Sequence, residues 1–108
     1  MPSAFKSITA EDYPREVLAQ PGGVVVFFWS PQSAPCRLFI APLEQFAATR
    51  ARRPKLVKVN VDEHAAAARQ AKLGGVPALL AYRDGQVVGQ LIGTGTPREV
   101  EAVFAQAD

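Results

Sequence analysis

The residues best suited to chemistry lie in one short stretch, WSPQSAPC, residues 29–36, which leads into a predicted helix. Ser33 and Cys36 flank Ala34-Pro35 in this stretch. The reactive species in disulfide exchange is a thiolate, and a helix N-terminus lowers the pKa of a thiol placed there. Cys36 is the only cysteine, so the 108 residues form no internal disulfide. The stretch resembles a two-thiol redox site in which an alcohol occupies the first thiol's position.

Serine does not replace the missing sulfur chemically. An alcohol has no accessible anion at neutral pH, and an S–O bond would not be a stable, exchangeable link. A hydrolase-type serine nucleophile needs an adjacent base, and His64 is the only histidine. Serine is, however, a favourable helix N-cap, and proline is tolerated in the first turn that follows. We interpret Ser33 as an N-cap that begins the helix and supplies no nucleophile.

Cys36 has two interpretations. It is either a small hydrophobic side chain buried one turn into the helix, or an exposed thiol that forms a mixed disulfide with glutathione or a partner thiol. We favour the buried, inert thiol, and labelling of the folded protein distinguishes the two.

Composition limits the function classes. The chain is 48% hydrophobic and 20% charged with a formal charge of +2, which indicates an ordinary globular protein, expected to be one domain over 1–108. This charge does not favour a nucleic-acid or membrane partner, and no segment is long enough to span a bilayer. We expect a cytoplasmic monomer without cofactor or metal. The basic run Arg50, Arg52, Arg53 and Lys55 is interpreted as cations near the exposed carbonyls of a helix end.

Five strands and four helices are predicted. The strands cover 4–8, 24–29, 55–61, 77–83 and 86–93, and Asp84-Gly85 predicts a hairpin between the last two. The helices cover 12–19, 34–49, 63–73 and 97–107. The predicted caps are Thr9, Ser33 and Thr96, and Pro42 predicts a kink in the second helix. Alternating strands and helices followed by a hairpin predict a mixed sheet between helices, a three-layer α/β sandwich.

This order of elements resembles the thioredoxin family over essentially the whole chain. The matching features are Phe28-Trp29, Ala34-Pro35-Cys36 opening a helix, Pro42 within it, KVNVD at 58–62, GGVP at 74–77, the Asp84-Gly85 turn and Gly93. The resemblance implies the thioredoxin fold, a three-layer α/β/α sandwich with a central mixed sheet of about five strands and four helices.

The resemblance also assigns roles within the site. In the family motif Trp-Cys-Gly-Pro-Cys, the first cysteine attacks a substrate disulfide and the second resolves the mixed disulfide. The attacking position is Ser33 here, and the resolving position is Cys36. The family's cis-proline corresponds to Pro77, and the backbone of the preceding Val76 would pair with substrate. The implied binding groove consists of Trp29, Gln32, Val76, Pro77 and Gly93.

Two further positions depart from the family pattern. Phe27 stands where the family has a buried carboxylate associated with proton transfer to the resolving cysteine, although the nearby lysine is retained as Lys58. Phe27 therefore adds core packing and removes a titrating group. Gln32 replaces the aromatic residue that precedes the first cysteine, which weakens the apolar rim used for substrates. The resemblance also implies that His64 lies away from this loop, and we interpret it as a solvated residue at a helix start.

Three functions stay open at this point. The first is a thioredoxin-like protein that cannot cycle between dithiol and disulfide and binds protein or peptide thiols and disulfides through its groove. The second is an active disulfide reductase whose first active-site cysteine has been replaced by serine in this sequence. The third, less favoured, is single-thiol chemistry at Cys36, because monothiol relatives usually keep the first cysteine.

Overall fold

A single mixed sheet of five strands forms the centre of the computed structural model, which describes residues 3–108. In chain order the strands are β1 Lys6–Ser7, β2 Gly23–Trp29, β3 Lys55–Asn60, β4 Ala78–Arg83 and β5 Gln86–Ile92. Their spatial order is β1-β3-β2-β4-β5, with β1, β3 and β2 parallel, β4 antiparallel to β2, and β5 antiparallel to β4. The apolar run 24–28 of the central strand is fully buried because helices cover both faces.

Helices pack on both faces of this sheet. They are a π-helix, Pro14–Leu18, and three α-helices, α1 Ala34–Thr49, α2 Ala65–Gln70 and α3 Pro97–Ala107. Alternate residues of β2 point to opposite faces, so Phe27 lies in the core beneath α1 and α3, whereas Phe28 lies in the core beneath the π-helix and α2. The predicted three-layer α/β/α sandwich, with a mixed five-stranded sheet and four helices, is confirmed.

The first two elements are shorter than predicted. The strand expected over 4–8 is only Lys6–Ser7, because the Ala4 amide donates to Glu44 Oε1 at 2.8 Å instead of joining a neighbouring strand. The helix expected over 12–19 is the π-helix, in which the Ala19 amide donates to the carbonyl of Pro14 at 2.8 Å, five residues back. Thr9 does accept a side-chain hydrogen bond from the Asp12 amide at 3.1 Å, but it caps the turn before this helix.

The third helix, α2, is also shorter than the predicted range 63–73. At its start the Asn60 carbonyl accepts from the His64 amide at 2.9 Å and forms a turn, so the helix begins after His64. At its end Lys72 has φ 56°, in the left-handed region, and its amide donates to the carbonyl of Arg69 at 3.1 Å. A lysine in that conformation, rather than the glycine pair that follows, ends the helix.

The hairpin and the last helix match their sequence signals. Asp84 and Gly85 have φ of 50° and 81°, which is the left-handed pair that a tight two-residue hairpin requires. Thr96 accepts from the Glu99 amide at 3.2 Å and the Glu99 carboxylate accepts from the Thr96 amide at 2.9 Å, a complete capping box. β5 ends at Ile92, one residue before the predicted end.

Two members of the basic run after α1, Arg50 and Lys55, pair with carboxylates on other elements. Arg50 contacts Glu101 at 2.9 Å and Asp108 at 2.7 Å, and Lys55 contacts Glu16 at 2.8 Å. Arg50 is the C-cap residue of α1, so it lies at the helix end as expected, although its guanidinium pairs with Glu101 and Asp108; Lys55 lies in β3 and pairs with Glu16 instead. Within 3–108, none of the helices is long and apolar enough to cross a membrane.

Candidate functional site

The site forms where β2, β4 and β5 meet at one edge of the sheet. Ala78 pairs with Phe28 of β2 and with Ile92 of β5. The residues just before Ala78, just after β2 and just after β5 are therefore neighbours in space. This arrangement places Pro77, the loop that leads into α1, and Gly93 along one edge.

Ser33 begins α1 and serves as its N-cap. Its φ and ψ of −93° and 118° are extended, and its hydroxyl accepts a hydrogen bond from the Cys36 amide at 3.3 Å. The Ser33 carbonyl accepts from the Arg37 amide at 3.1 Å, so the regular helical bonding starts here. The Ser33 hydroxyl oxygen is thus used to satisfy a backbone donor at the start of α1.

Cys36 lies one turn into α1 and has no exposed surface, at 0% of its accessible area. The amide of Ser30 lies 3.5 Å from its Sγ. The thiol is therefore enclosed by the loop that carries Ser33, with a weak backbone hydrogen bond to the sulfur.

Two residues that sequence reasoning missed, Ser30 and Asp62, order this loop. Ser30 is buried, and its hydroxyl donates to Asp62 Oδ2 at 2.7 Å. The Ser30 hydroxyl oxygen also accepts from the Gln32 amide at 3.1 Å. A signal was present, because β2 and β3 are parallel and the polar residues after their carboxyl ends must lie at the same edge. Ser30 and Asp62 stand in those two positions.

Pro77 lies at the start of β4, preceded by a cis peptide bond from Val76. Its carbonyl accepts from the Gly93 amide at 2.7 Å, and Gly93 has φ 88°, a conformation that favours glycine. The structure therefore places Val76, Pro77 and Gly93 together. Gln32 is exposed on the neighbouring loop, while Trp29 is half-buried.

Trp29 lies on the β3 side of the site. It lines a cleft of about 150 Å³ that also includes Lys58 and His64. His64 occupies the N-cap position of α2, at the helix start as expected, and is half-buried, so its ring is partly accessible to solvent. Among the hydrogen bonds of the described residues, none joins His64 to Ser33, whose hydroxyl accepts from Cys36 instead. Within residues 3–108, the Ser33 hydroxyl therefore has no hydrogen bond to a general base.

Phe27, which the sequence resemblance assigns to the position of a buried acid, is an aromatic residue in the core. Its side chain is 3% exposed, and its ring centroid lies 6.0 Å from that of Phe5 and 6.2 Å from that of Phe39. The retained Lys58, paired in register with Phe27, has its ammonium group 3.9 Å from Glu44 of α1. The lysine thus faces a surface carboxylate, and its β2 neighbour carries no titrating group.

No cluster of three or more His, Cys, Asp or Glu side chains that could hold a metal occurs in the described part of the chain. A cavity of about 790 Å³ lies away from the site, lined by Ser3, Glu44 and Arg53 among others. Its lining includes none of the residues assigned to the groove, so we do not assign the site's chemistry to it.

Known proteins agree with this architecture. The Thioredoxin family model matches residues 4–106. The chain is 33% identical to thioredoxin 1 of Synechococcus elongatus over 91 residues, which are 84% of this chain and 85% of that protein. It is 34% identical to thioredoxin C-2 of Corynebacterium nephridii over 104 residues, which are 96% and 95% of the two chains.

A solved structure shares the fold at lower sequence identity. The Malassezia sympodialis thioredoxin superposes with a TM-score of 0.81 at 22% identity, covering 98% of this chain and 92% of that one. The expected thioredoxin fold is confirmed. Because the family model spans nearly all of the sequence, the chain belongs to the thioredoxin family of thiol-disulfide oxidoreductases.

Proposed function

We propose that this chain binds polypeptides at the thioredoxin groove and does not cycle between dithiol and disulfide. The observation that carries the proposal is Ser33, whose hydroxyl replaces the attacking thiol and caps α1. The proposed ligands are protein or peptide thiols and disulfides, and we expect a cytoplasmic monomer. The groove consists of Trp29, Gln32, Val76, Pro77 and Gly93.

The electron balance supports the loss of cycling. Reduction of a substrate disulfide by the family mechanism takes two electrons from two thiols, which then join as a disulfide. Cys36 supplies one thiol, and its complete burial keeps it from attacking a substrate sulfur. We therefore propose that Cys36 is inert in the folded protein. A thiol reagent at neutral pH should label it slowly in buffer and rapidly in urea; fast labelling of the folded chain would contradict this.

Turnover of insulin with dithiothreitol tests the absence of cycling. The unaltered chain should reduce insulin no faster than dithiothreitol alone. The Ser33→Cys variant can form an internal disulfide with Cys36, so its rate measures what the rest of the site retains. We expect a slow rate, because Phe27 supplies no proton relay.

The same assay distinguishes the alternative of an active reductase represented by a Cys-to-Ser variant. Rapid turnover by Ser33→Cys, at the rate of a two-cysteine thioredoxin assayed in parallel, would favour that alternative. Insulin reduction by the unaltered chain would overturn our proposal outright.

NMR titration tests groove binding. The probe is the S-carboxymethylated B chain of insulin, a polypeptide without free thiols or disulfides. Its addition should shift the amide signals of Val76 and Gly93 and the indole signal of Trp29, and leave Asp84 and Gly85 unchanged, because the hairpin lies at the opposite end of β4 and β5. Unchanged signals at Val76 and Gly93 would overturn the groove assignment.

A further inference from the structure

Ser30 differs from the other buried residues of the protein. Apart from two tyrosines, it is the only buried residue within 3–108 whose side chain carries a nitrogen or oxygen atom. Burial of a hydroxyl costs free energy unless the hydroxyl is hydrogen-bonded, and an apolar residue of similar size would avoid that cost. Packing alone therefore gives no reason for a hydroxyl at position 30, and its role must lie in the bonds that it makes.

The Ser30 hydroxyl ties the loop that follows β2 to the end of β3. It donates to Asp62 Oδ2 at 2.7 Å and accepts from the Gln32 amide at 3.1 Å. The other hydrogen bonds of residues 30–33, which we call the 30–33 loop, stay within the loop or go to α1. Within residues 3–108, the bond to Asp62 is thus the only hydrogen bond that ties this loop to an element other than α1.

Asp62 is itself fixed relative to the sheet. Its amide donates to Asn60 Oδ1 at 2.9 Å, and the amide of the preceding Val61 donates to the carbonyl of Trp29 at 2.9 Å. Asn60 pairs in register with Trp29, where β2 and β3 end side by side. The carboxylate that accepts the Ser30 hydroxyl therefore holds the loop to the edge of the sheet.

The 30–33 loop covers the Cys36 thiol. The Ser30 amide lies 3.5 Å from Cys36 Sγ, and Cys36 is 0% exposed. Neither of the two clusters of buried apolar side chains includes Cys36. Pro31 and Gln32 are exposed, so the outer side of the loop faces solvent. Opening of this loop would therefore expose the sulfur without unfolding either apolar cluster.

We propose that Ser30 and Asp62 are positioning residues whose hydrogen bond keeps the Cys36 thiol closed to solvent. The inference rests on the proposed inertness of Cys36 and assigns that inertness to one bond. A hydroxyl that donates to a carboxylate at 2.7 Å forms a bond about twice as strong as one between neutral groups. Without this bond the 30–33 loop is held only by α1 and by itself, and it opens more often while the sheet and helices stay folded.

Alkylation of Cys36 by iodoacetamide in the native protein, followed by mass spectrometry, tests the proposal. Ser30→Ala removes the donor with almost no change in side-chain volume, and Asp62→Ala removes the acceptor at an exposed position. Each variant should react about fivefold faster or more than the unaltered chain, the factor expected for loss of such a bond from the closed loop. The double variant should react no faster than the faster single variant, because both substitutions remove the same bond.

Glu44→Ala is the matched control. The Glu44 carboxylate also accepts a hydrogen bond from a serine hydroxyl, that of Ser3, and it lies about two turns beyond Cys36 on α1. Its alkylation rate should equal that of the unaltered chain. Low concentrations of urea, below the unfolding transition, should change the rates of the fast variants little, because opening of a short loop exposes little surface.

Failure of the positioning role is distinguishable from failure of the proposed function. Equal rates for the unaltered chain and Asp62→Ala would overturn the positioning role, even if Ser30→Ala did not fold, and would leave the proposed inertness of Cys36 standing. Equal acceleration by Asp62→Ala and Glu44→Ala, or a steep dependence on urea, would indicate a loss of overall stability and would also overturn it. Rapid alkylation of the unaltered chain would overturn both the inertness of Cys36 and the role of the bond.

Discussion

Replacing Ser33 by alanine tests the structural role of Ser33 as the N-cap of α1. In α1 the first-turn amides are those of Ala34 and Cys36, since Pro35 has none, and the Ser33 hydroxyl satisfies that of Cys36 at 3.3 Å. Loss of an N-cap costs about 0.5 to 2 kcal/mol. The 3.3 Å distance is at the long end for a hydrogen bond, so we expect the lower part of that range, about 0.5 to 1 kcal/mol.

Thermal unfolding followed by circular dichroism measures this loss. For a chain of this size the expected cost corresponds to a fall in Tm of about 2 to 4 °C. Ser33→Asp, which keeps an acceptor at the N-cap, should retain most of the wild-type Tm, and Ser33→Gly should lose only a few tenths of a kcal/mol. Equal Tm values for wild type and Ser33→Ala would refute the capping argument, and so would a larger loss in Ser33→Asp than in Ser33→Ala.

Three further predictions concern other parts of the fold. Lys72→Gly should raise the free energy of unfolding by about 0.5 kcal/mol, because glycine tolerates the left-handed conformation at φ 56°. Gln70→Gly, inside α2, is the control and should lower the free energy of unfolding; thermal unfolding compares the two variants. The Lys55 ammonium holds the pKa of Glu16 at about 2, below its ordinary 4.5. The ionised Glu16 carboxylate therefore contributes its full stabilisation of the folded protein above about pH 4.5, and this contribution is lost as the pH falls through 2. Glu16→Gln should flatten that part of a Tm–pH curve. Phe27→Asp should cost at least about 3 kcal/mol in urea unfolding, since it removes a buried ring and buries a carboxyl.

Elements with strong local signals were predictable from the sequence. β2 is a continuous apolar run, the β4–β5 turn is Asp84-Gly85, and α3 begins with a Thr96–Glu99 capping box, so each is specified by its own residues. The misjudged elements have two causes: the π-helix and the bounds of α2 depend on local turns, which the apolar pattern does not distinguish from an α-helix, whereas β1 depends on a long-range contact. β1 is short because the Ala4 amide bonds to Glu44, forty residues away, and no local pattern predicts that contact.

In the candidate site, too, some features are predictable from local sequence and others depend on which strands are neighbours. The N-cap role of Ser33 and the burial of Cys36 follow from their places at the start of a helix, which the sequence indicates directly. The hydrogen bond between Ser30 and Asp62 joins the ends of two strands and depends on their parallel register. It becomes predictable only after β2 and β3 are known to be neighbours.

The departures at Ser33 and Phe27 are physically linked. The resemblance implies that a buried acid serves proton transfer to the resolving thiol, and we expect that transfer to be needed only when a first thiol starts the reaction. With an alcohol at position 33, a carboxyl at position 27 would retain its desolvation cost and have no proton to move. Phe27 removes that cost and adds ring contacts with Phe5 and Phe39, so packing favours the aromatic once the nucleophile is absent. Restoring sulfur at position 33 alone should therefore leave a site with its thiols but without its proton relay.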